Sequence, residues 1–183
     1  EDSRQQHFLA RGYAVFNADQ VEGFELPAAP ILAETERQTA ADSFLSALGI
    51  DMHVGGLEAY YRPSTDSVHL PDFERFRDAA SYYAVAIHEC GHATGAKHRL
   101  DRDLAGRFGT AAYAAEEICV ELAAGFILAD LGIAHHPRPD HAAYIASWIE
   151  LLRDDPRAIF TAASKAQAIA DWMNARQPRP SEP

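Results

Sequence analysis

The stretch that most constrains the fold is the pentapeptide 88–92, where two histidines stand four residues apart and a glutamate follows the first. On an α-helix, residues i and i+4 lie on one face, one turn apart. His88 and His92 can therefore bind one zinc ion at about 2.0–2.1 Å each, the usual zinc–imidazole distance. Glu89 would then face the open position of the metal and take a proton from a metal-activated water. The spacing predicts a helix that carries the centre of a metal-dependent hydrolase.

The alternative to a metal site is a surface helix that carries two histidines by chance. The apolar run at residues 82–87 argues against it, because it leads directly into the pentapeptide and indicates a buried helix. Buried polar side chains need partners, since burying them without hydrogen bonds is costly. A bound metal would satisfy both imidazoles.

Hydrophobic periodicity along the rest of the chain predicts an α+β fold. A three-residue turn at 63–65, with a proline, suits a hairpin between two short strands. We expect a small, mainly antiparallel sheet packed on the helix that carries the motif, with further helices toward the C-terminus. The predicted strands are 13–16, 51–54, 59–62 and 66–70, and the predicted helices are 33–48, 78–95, 111–131, 140–153 and 156–173.

The predicted helix 111–131 carries a candidate third metal ligand. Its second half is apolar nearly all round, which indicates burial. Glu116 suits a solvated face. Glu117 and Glu121 are four residues apart and share a face, where like charges repel unless a cation lies nearby. Catalytic zinc sites often use two histidines and a glutamate, so either Glu117 or Glu121 can complete the set.

The other histidines are interpreted as ordinary polar residues. His53 and His69 fall on predicted strands, where a polar side chain needs no metal to explain it. His135 and His136 precede a stretch with two prolines and are expected on a surface connection.

Charge and cysteine content narrow the class of protein. The chain has 16 basic and 27 acidic residues and a formal net charge of −11, so it should repel nucleic acid and anionic membranes. It contains no apolar run near the eighteen or so residues that a membrane helix needs. Two cysteines, Cys90 and Cys119, do not make a disulfide framework, and Cys90 should turn toward the core. We expect a reduced, cytoplasmic setting.

A chain of 183 residues predicts a single domain. Residues 1–10 look like a linker or a short helix. Residues 1–6 are polar and have no initial Met, so we interpret 1–10 as a linker from a missing upstream domain. The domain itself is placed at 11–175. The proline-rich residues 176–183 are expected to be a disordered tail.

Several stretches, taken in order, resemble the C-terminal zincin-like metallopeptidase domain of ArdC-type antirestriction proteins, a domain similar to one in TraC-type plasmid primases. They are Phe16–Gly23, Ala59–Tyr61, His88–Gly95 and Glu116–Ala124, and the resemblance covers roughly 11–175. It implies a zincin-like fold. It also implies Glu117 as the third ligand and Glu121 as an acidic partner that hydrogen-bonds a ligand histidine, although spacing alone permits the reverse. Family members carry an upstream domain that binds single-stranded DNA, so nucleic acid is expected to be contacted only through that missing part.

These observations predict a zinc-dependent metallopeptidase that hydrolyses a protein or peptide substrate and is linked to plasmid antirestriction or conjugative transfer. His88, His92 and Glu117 would bind Zn²⁺ and Glu89 would be the general base. The candidates for stabilising the oxyanion are Tyr113, His98 and Arg99.

A different class of function fits the same residues. The acidic domain would be a non-enzymatic antirestriction module with a structural zinc. It would act either as a mimic of DNA or as an accessory to an upstream domain that binds single-stranded DNA.

Overall fold

The computed structural model describes residues 20, 21, 23, 34–104, 106, 110–133, 148–150 and 152–178. Residues 1–31 and 32–183 form two compact units, and the helices and strands named below all lie in the second. The predicted strand 13–16, the linker 1–10 and the histidines of the 135–139 loop fall outside the described residues.

Three short strands form one sheet with the order β1-β3-β2. They are β1 (Asp51–Val54), β2 (Tyr60–Arg62) and β3 (Ser67–Leu70). The β2–β3 hairpin is antiparallel, whereas β1 pairs with β3 in parallel. The sheet is therefore mixed, which corrects the expectation of a mainly antiparallel sheet. The chain reverses twice between β1 and β3, and the alternation of side chains does not reveal which strand will become the central one.

Helix α1 (Glu34–Ala47) ends just before Gly49, whose φ of 65° suits a glycine after a helix C-terminus. Helix α2 (Ala79–Ala93) carries the histidine pentapeptide. The Asp78 carboxylate caps α2 by accepting from the Ser81 backbone N–H at 2.7 Å. The Tyr83 hydroxyl donates to Asp42 Oδ1 at 2.9 Å and so ties α2 to α1.

Helix α3 (Ala111–Asp130) packs on α2 on one side and on helix α4 (Ala158–Asn174) on the other. A Cβ atom added to Gly91 of α2 would lie 2.6 Å from Val120 Cγ1 of α3. A glycine between the two histidines therefore lets the two helices approach closely. Residues 148–150 and 152–154, at the end of the predicted helix 140–153 and one residue beyond it, are also helical.

The core lies where α2, α3, α4, α1 and the inner face of the sheet meet. Its largest fully buried side chains are Leu70, Ile87, Ile127, Leu128, Ile169 and Met173. Among the residues that the structure describes, no helix is long and apolar enough to cross a membrane. The α+β architecture predicted from the sequence is confirmed, with a small sheet packed on the helix that carries the histidines and further helices after it.

The packed part of the chain reaches into the predicted tail. The Arg176 guanidinium lies 3.1 Å from the centre of the Trp172 ring, and Gln177 Nε2 donates to the Phe44 carbonyl at 3.4 Å. The first two residues of the tail assigned to 176–183 thus contact an aromatic ring and a backbone carbonyl of the folded part of the chain.

Candidate metal centre

Helix α2 places His88, Glu89 and His92 at its buried end. His88 is 3% exposed and Glu89 is 8% exposed. The two imidazole rings stand nearly perpendicular, at 83°, and their Nε2 atoms are 3.1 Å apart. Two ligands of a tetrahedral zinc would lie about 3.4 Å apart, given zinc–nitrogen distances of about 2.0–2.1 Å. The helix therefore presents both nitrogens at a spacing that one metal ion can bridge.

Helix α3 brings Glu117 against both rings. Its Oε2 lies 3.5 Å from His88 Nε2, and its Oε1 lies 3.3 Å from His92 Nε2. One donor atom from each of the three side chains lies within 4.8 Å of the others, and no other such group is found among the described residues. These are the donors of a catalytic zinc site with two histidines and a glutamate.

Glu121 lies on the other side of the His88 ring. Its Oε2 is 3.1 Å from His88 Nδ1. A carboxylate that accepts the Nδ1–H of an imidazole holds the tautomer whose Nε2 lone pair is free for a metal. Spacing alone did not show which of the two glutamates contacts the metal position. In the structure, Glu117 lies next to the Nε2 atoms of both histidines, whereas Glu121 contacts only Nδ1 of His88.

Glu116 supports His92 in the same way, and this was not predicted. Its Oε1 lies 3.4 Å from His92 Nδ1, and its side chain is 11% exposed, so the expected solvated position is wrong. Arg102 pairs with the same carboxylate, with Nη2 donating to Oε1 at 2.8 Å and Nε donating to Oε2 at 3.1 Å. The available sequence signal for Glu116 was its position in a helix predicted to be buried, where a charged side chain needs a partner. An arginine in a polar loop carries no such signal.

The carboxylates around His88 and His92 favour the binding of a cation. Burial disfavours a charged His92, but hydrogen bonds to Glu116 and Glu117 outweigh burial and raise the pKa of His92 to about 10. Burial likewise disfavours ionised Glu117, yet its hydrogen bonds with His88 and His92 hold the pKa of the Glu117 carboxyl below its ordinary value. The carboxylates therefore favour positive charge at the position between the two rings.

A cavity of about 350 Å³ opens beside the two histidines. Its walls come from strand β2 and its flanks, from the end of α2, from the segment after α2 and from the first turns of α3. The described lining residues are Ala59, Tyr60, Tyr61, Pro63, His88, Glu89, His92, Asp103, Leu104, Gly106, Ala112, Tyr113, Glu116 and Glu117. Glu89 therefore faces a space large enough for a few atoms of a substrate.

Of the three oxyanion candidates, the structure brings only Tyr113 to this cavity. His98 Nε2 lies 3.4 Å from Asp66 Oδ2, and its side chain is 63% exposed. Arg99 forms a two-pronged pair with Asp66, at 2.6 and 2.9 Å. Both residues follow α2 on the side that meets the β2–β3 turn, so they contact that turn and do not line the cavity.

The remaining histidines and the cysteine of the motif lie away from the centre. His53 and His69 stack on one face of the sheet with ring centroids 5.0 Å apart, as ordinary strand residues. Cys90 is fully buried, and burial raises the pKa of its thiol to about 12. A neutral buried thiol packs as a small apolar side chain and offers no metal ligand.

The chain is similar in sequence to a known protein family and to known proteins. A family model described as a zincin-like metallopeptidase matches residues 39–165. The chain is 63% identical over 172 residues to the uncharacterized protein y4eC of Sinorhizobium fredii, covering 94% of this chain and 56% of that protein. It is 47% identical over 163 residues to DNA primase TraC of Escherichia coli, covering 87% of this chain and 15% of TraC. The chain thus spans about half of the first relative and a small part of the second.

Two crystal structures of the antirestriction protein ArdC from the R388 plasmid are similar to this chain. The Mn(II)-bound structure has a TM-score of 0.75 at 37% identity, and the match covers 93% of this chain and 64% of ArdC. The metal-free structure has a TM-score of 0.71 at 35% identity, covering 88% and 59%. The fold built from the described residues is therefore one that has also been crystallised with a divalent metal.

Proposed function

Because this chain belongs to the zincin-like metallopeptidase family, we propose that it hydrolyses peptide bonds with the help of a divalent metal ion. The observation that carries the proposal is the convergence of His88, His92 and Glu117 at one edge of the cavity that Glu89 also lines. Four side chains from two helices thus supply a ligand set and a proton acceptor in one place.

The metal that we propose is zinc. Two imidazole nitrogens and one carboxylate oxygen are the donors of many catalytic zinc sites, and a fourth position stays open in such sites. The Mn(II)-bound ArdC structure, which is similar over 93% of this chain, supports a divalent ion held by the same fold. A metal held there would polarise a substrate carbonyl and lower the pKa of water.

Glu89 is the proposed general base. It follows His88 on α2, is 8% exposed as a residue and lines the cavity. A carboxylate in that place can accept a proton from the attacking water and then deliver it to the amine that leaves. His88 and His92 are held for metal binding by Glu121 and Glu116, so Glu89 is left for the proton transfers.

The substrate that we propose is an extended peptide. Among the strands that the structure describes, β2 lies at an edge of the sheet, and Tyr60 and Tyr61 of β2 line the cavity. A peptide that pairs with this edge would run past the metal position, since exposed sheet edges bind extended chains through main-chain hydrogen bonds. Tyr113 of α3 also lines the cavity and is the proposed donor to the oxyanion.

A Glu89→Gln variant tests this proposal. Metal analysis of wild-type protein, purified without chelators, should find about one zinc per chain if the ligand set is the catalytic one. The variant should keep its zinc and lose hydrolysis of a mixed peptide library, because the amide cannot accept the proton. Wild-type protein that binds no divalent metal, or a variant that cleaves as fast as wild type, would rule the mechanism out.

A second candidate is a non-enzymatic antirestriction module with a structural metal. It is favoured by the net charge of −11 and by the similarity to ArdC, an antirestriction protein. In that case Glu89→Gln would leave protection of plasmid DNA against a restriction enzyme unchanged. Loss of protection together with loss of hydrolysis would favour the peptidase.

A further inference from the structure

We propose that Arg102 is a positioning residue that couples the metal centre to the wall of the cavity, and that it acts through Glu116. This inference rests on the metal site of the proposed function. It concerns Arg102, which is neither a candidate ligand nor a residue that lines the cavity, so it can fail while the metal site stands.

Arg102 is buried at the junction of α2 and α3. Its side chain is 8% exposed, and besides Glu116 it donates to Thr94 Oγ1 at 2.6 Å and to the Gly91 carbonyl at 2.8 Å. The guanidinium therefore joins the last turn of α2, which carries His92, to the second turn of α3, which carries Glu116. A planar fork of donors can hold such an arrangement, whereas an ammonium group cannot reproduce it.

The Glu116 carboxylate transmits this contact to His92. Its Oε1 lies 2.8 Å from Arg102 Nη2 and 3.4 Å from His92 Nδ1, so one oxygen serves both groups. Arg102 thus holds the carboxylate where it can accept the Nδ1–H of His92 and keep the ring oriented. Without the guanidinium, the buried charge of Glu116 would lose its main partner and would move or become protonated.

Arg102 also belongs to the segment that walls the cavity. Its backbone N–H donates to the Gly95 carbonyl at 3.0 Å, and the next two residues, Asp103 and Leu104, line the cavity. A Cβ atom on Gly95 would lie 2.8 Å from Leu104 Cδ2, so the segment folds closely on the end of α2. The side chain that orients His92 therefore also anchors the segment 95–104.

The coupling must act in both directions. If an anchored segment favours metal binding at His92, metal binding favours the anchored segment by the same free energy. Metal affinity and protection of residues 95–104 from hydrogen exchange should consequently change together.

Arg99 offers a matched control on the same segment. Its side chain is 9% exposed, donates to the Ala93 carbonyl at 2.8 Å and forms a two-pronged pair with Asp66. These contacts join α2 to the β2–β3 turn and not to Glu116. Arg99→Gln thus removes an equally buried guanidinium with equally good partners.

The test measures zinc affinity by competition with a chelator and hydrogen exchange by mass spectrometry, with and without zinc. We expect Arg102→Gln to weaken zinc binding about 10–100-fold, the usual effect of removing a group behind a ligand. Arg99→Gln should change zinc affinity by less than about threefold relative to wild type, because its contacts do not reach Glu116 or His92. Zinc should slow exchange in 95–104 of wild type and of Arg99→Gln, and should not do so in Arg102→Gln.

Three results would overturn the inference. They are wild-type zinc affinity in Arg102→Gln, equal losses in the two variants, and no effect of zinc on exchange in 95–104 of wild type. The last measurement needs no variant, so it decides the matter even if Arg102→Gln does not fold. Wild-type protein that binds no zinc would instead refute the metal site itself.

Discussion

At the scale of single residues, the centre is an excess of carboxylates around two imidazoles. Only one guanidinium, that of Arg102, is paired with these carboxylates in the described contacts. As metal ligands, both imidazoles would be neutral and could not balance the remaining carboxylates, so a divalent cation between the rings is the arrangement that the side chains favour. The carboxylates are Glu89, Glu116, Glu117 and Glu121.

The two glutamates of the shared face should differ in their effect on metal binding. Glu117→Gln removes a charged donor that lies 3.3 and 3.5 Å from the two Nε2 atoms. Glu121→Gln removes only the charge behind His88 and should weaken zinc binding by about 10–100-fold. Chelator competition on both variants should show the larger loss for Glu117→Gln. A larger loss for Glu121→Gln would reverse the two roles.

At the scale of elements, the centre depends on how closely α2 and α3 approach. The ligand candidates come from both helices, so any change in their separation moves the histidines relative to Glu117. Gly91 of α2 packs against Val120 of α3, since a Cβ atom added at Gly91 would lie 2.6 Å from Val120 Cγ1.

Gly91→Ala tests this contact. Alanine should favour a helix by about 1 kcal/mol, but here its methyl group would meet the stiff Val120 side chain at 2.6 Å. We expect a net loss of about 1–3 kcal/mol in the free energy of unfolding, measured with urea. Gly125→Ala in α3 is the matched control, since a Cβ there meets nothing within 4 Å, and it should be neutral or stabilising. A stabilised Gly91→Ala protein would contradict the packing argument.

The cap of α2 predicts a pH dependence. Hydrogen bonds from Ser81, helped by Arg77, lower the pKa of the Asp78 carboxyl to about 2. Since the folded value is below the unfolded value near 4, ionised Asp78 stabilises the fold above about pH 4 and loses this effect as pH falls toward 2.

Asp78→Ala should cost about 0.5–2 kcal/mol at neutral pH, because it removes the cap. Asp78→Ser keeps an acceptor without a titrating group. The difference in unfolding free energy between wild type and Asp78→Ser should shrink from pH 6 to pH 3. A difference that grows on acidification would refute this role of the carboxylate.

At the scale of the whole molecule, the centre joins segments that are far apart in the chain. The segment after α2 contributes Arg102, α2 contributes two histidines, and α3 contributes the glutamates. A metal that binds only the folded arrangement must stabilise all of these elements together.

Removal of metal should therefore lower the melting temperature. With free zinc at about 100 times the dissociation constant, binding adds about 2.7 kcal/mol, which corresponds to roughly 5–10 °C for a chain of this size. Calorimetry with zinc and with a chelator checks this. Glu117→Gln is the control and should show little difference between the two conditions. A wild-type melting temperature that ignores the chelator would argue against metal binding by the folded protein.

The predictable part of the site was local. The four-residue spacing of His88 and His92, and of Glu117 and Glu121, determines that each pair shares a helix face, because 3.6 residues make one turn. The bounds of the helices and strands that the structure describes followed the apolar period to within a few residues, whereas the predicted strand 13–16 and most of the predicted helix 140–153 lie outside the described residues. The family resemblance was also readable from the order of these motifs, and the matching family model confirms it.

What only the tertiary structure decided is which segments meet. Glu116 and Arg102 became partners of His92 because α3 crosses α2 at Gly91 and the segment 95–104 folds back on both helices. His98 and Arg99 were removed from consideration because they contact Asp66 in the β2–β3 turn, and β3 became the central strand. Helical and strand periods specify the face of an element, whereas contacts between distant segments depend on the packing of the whole core.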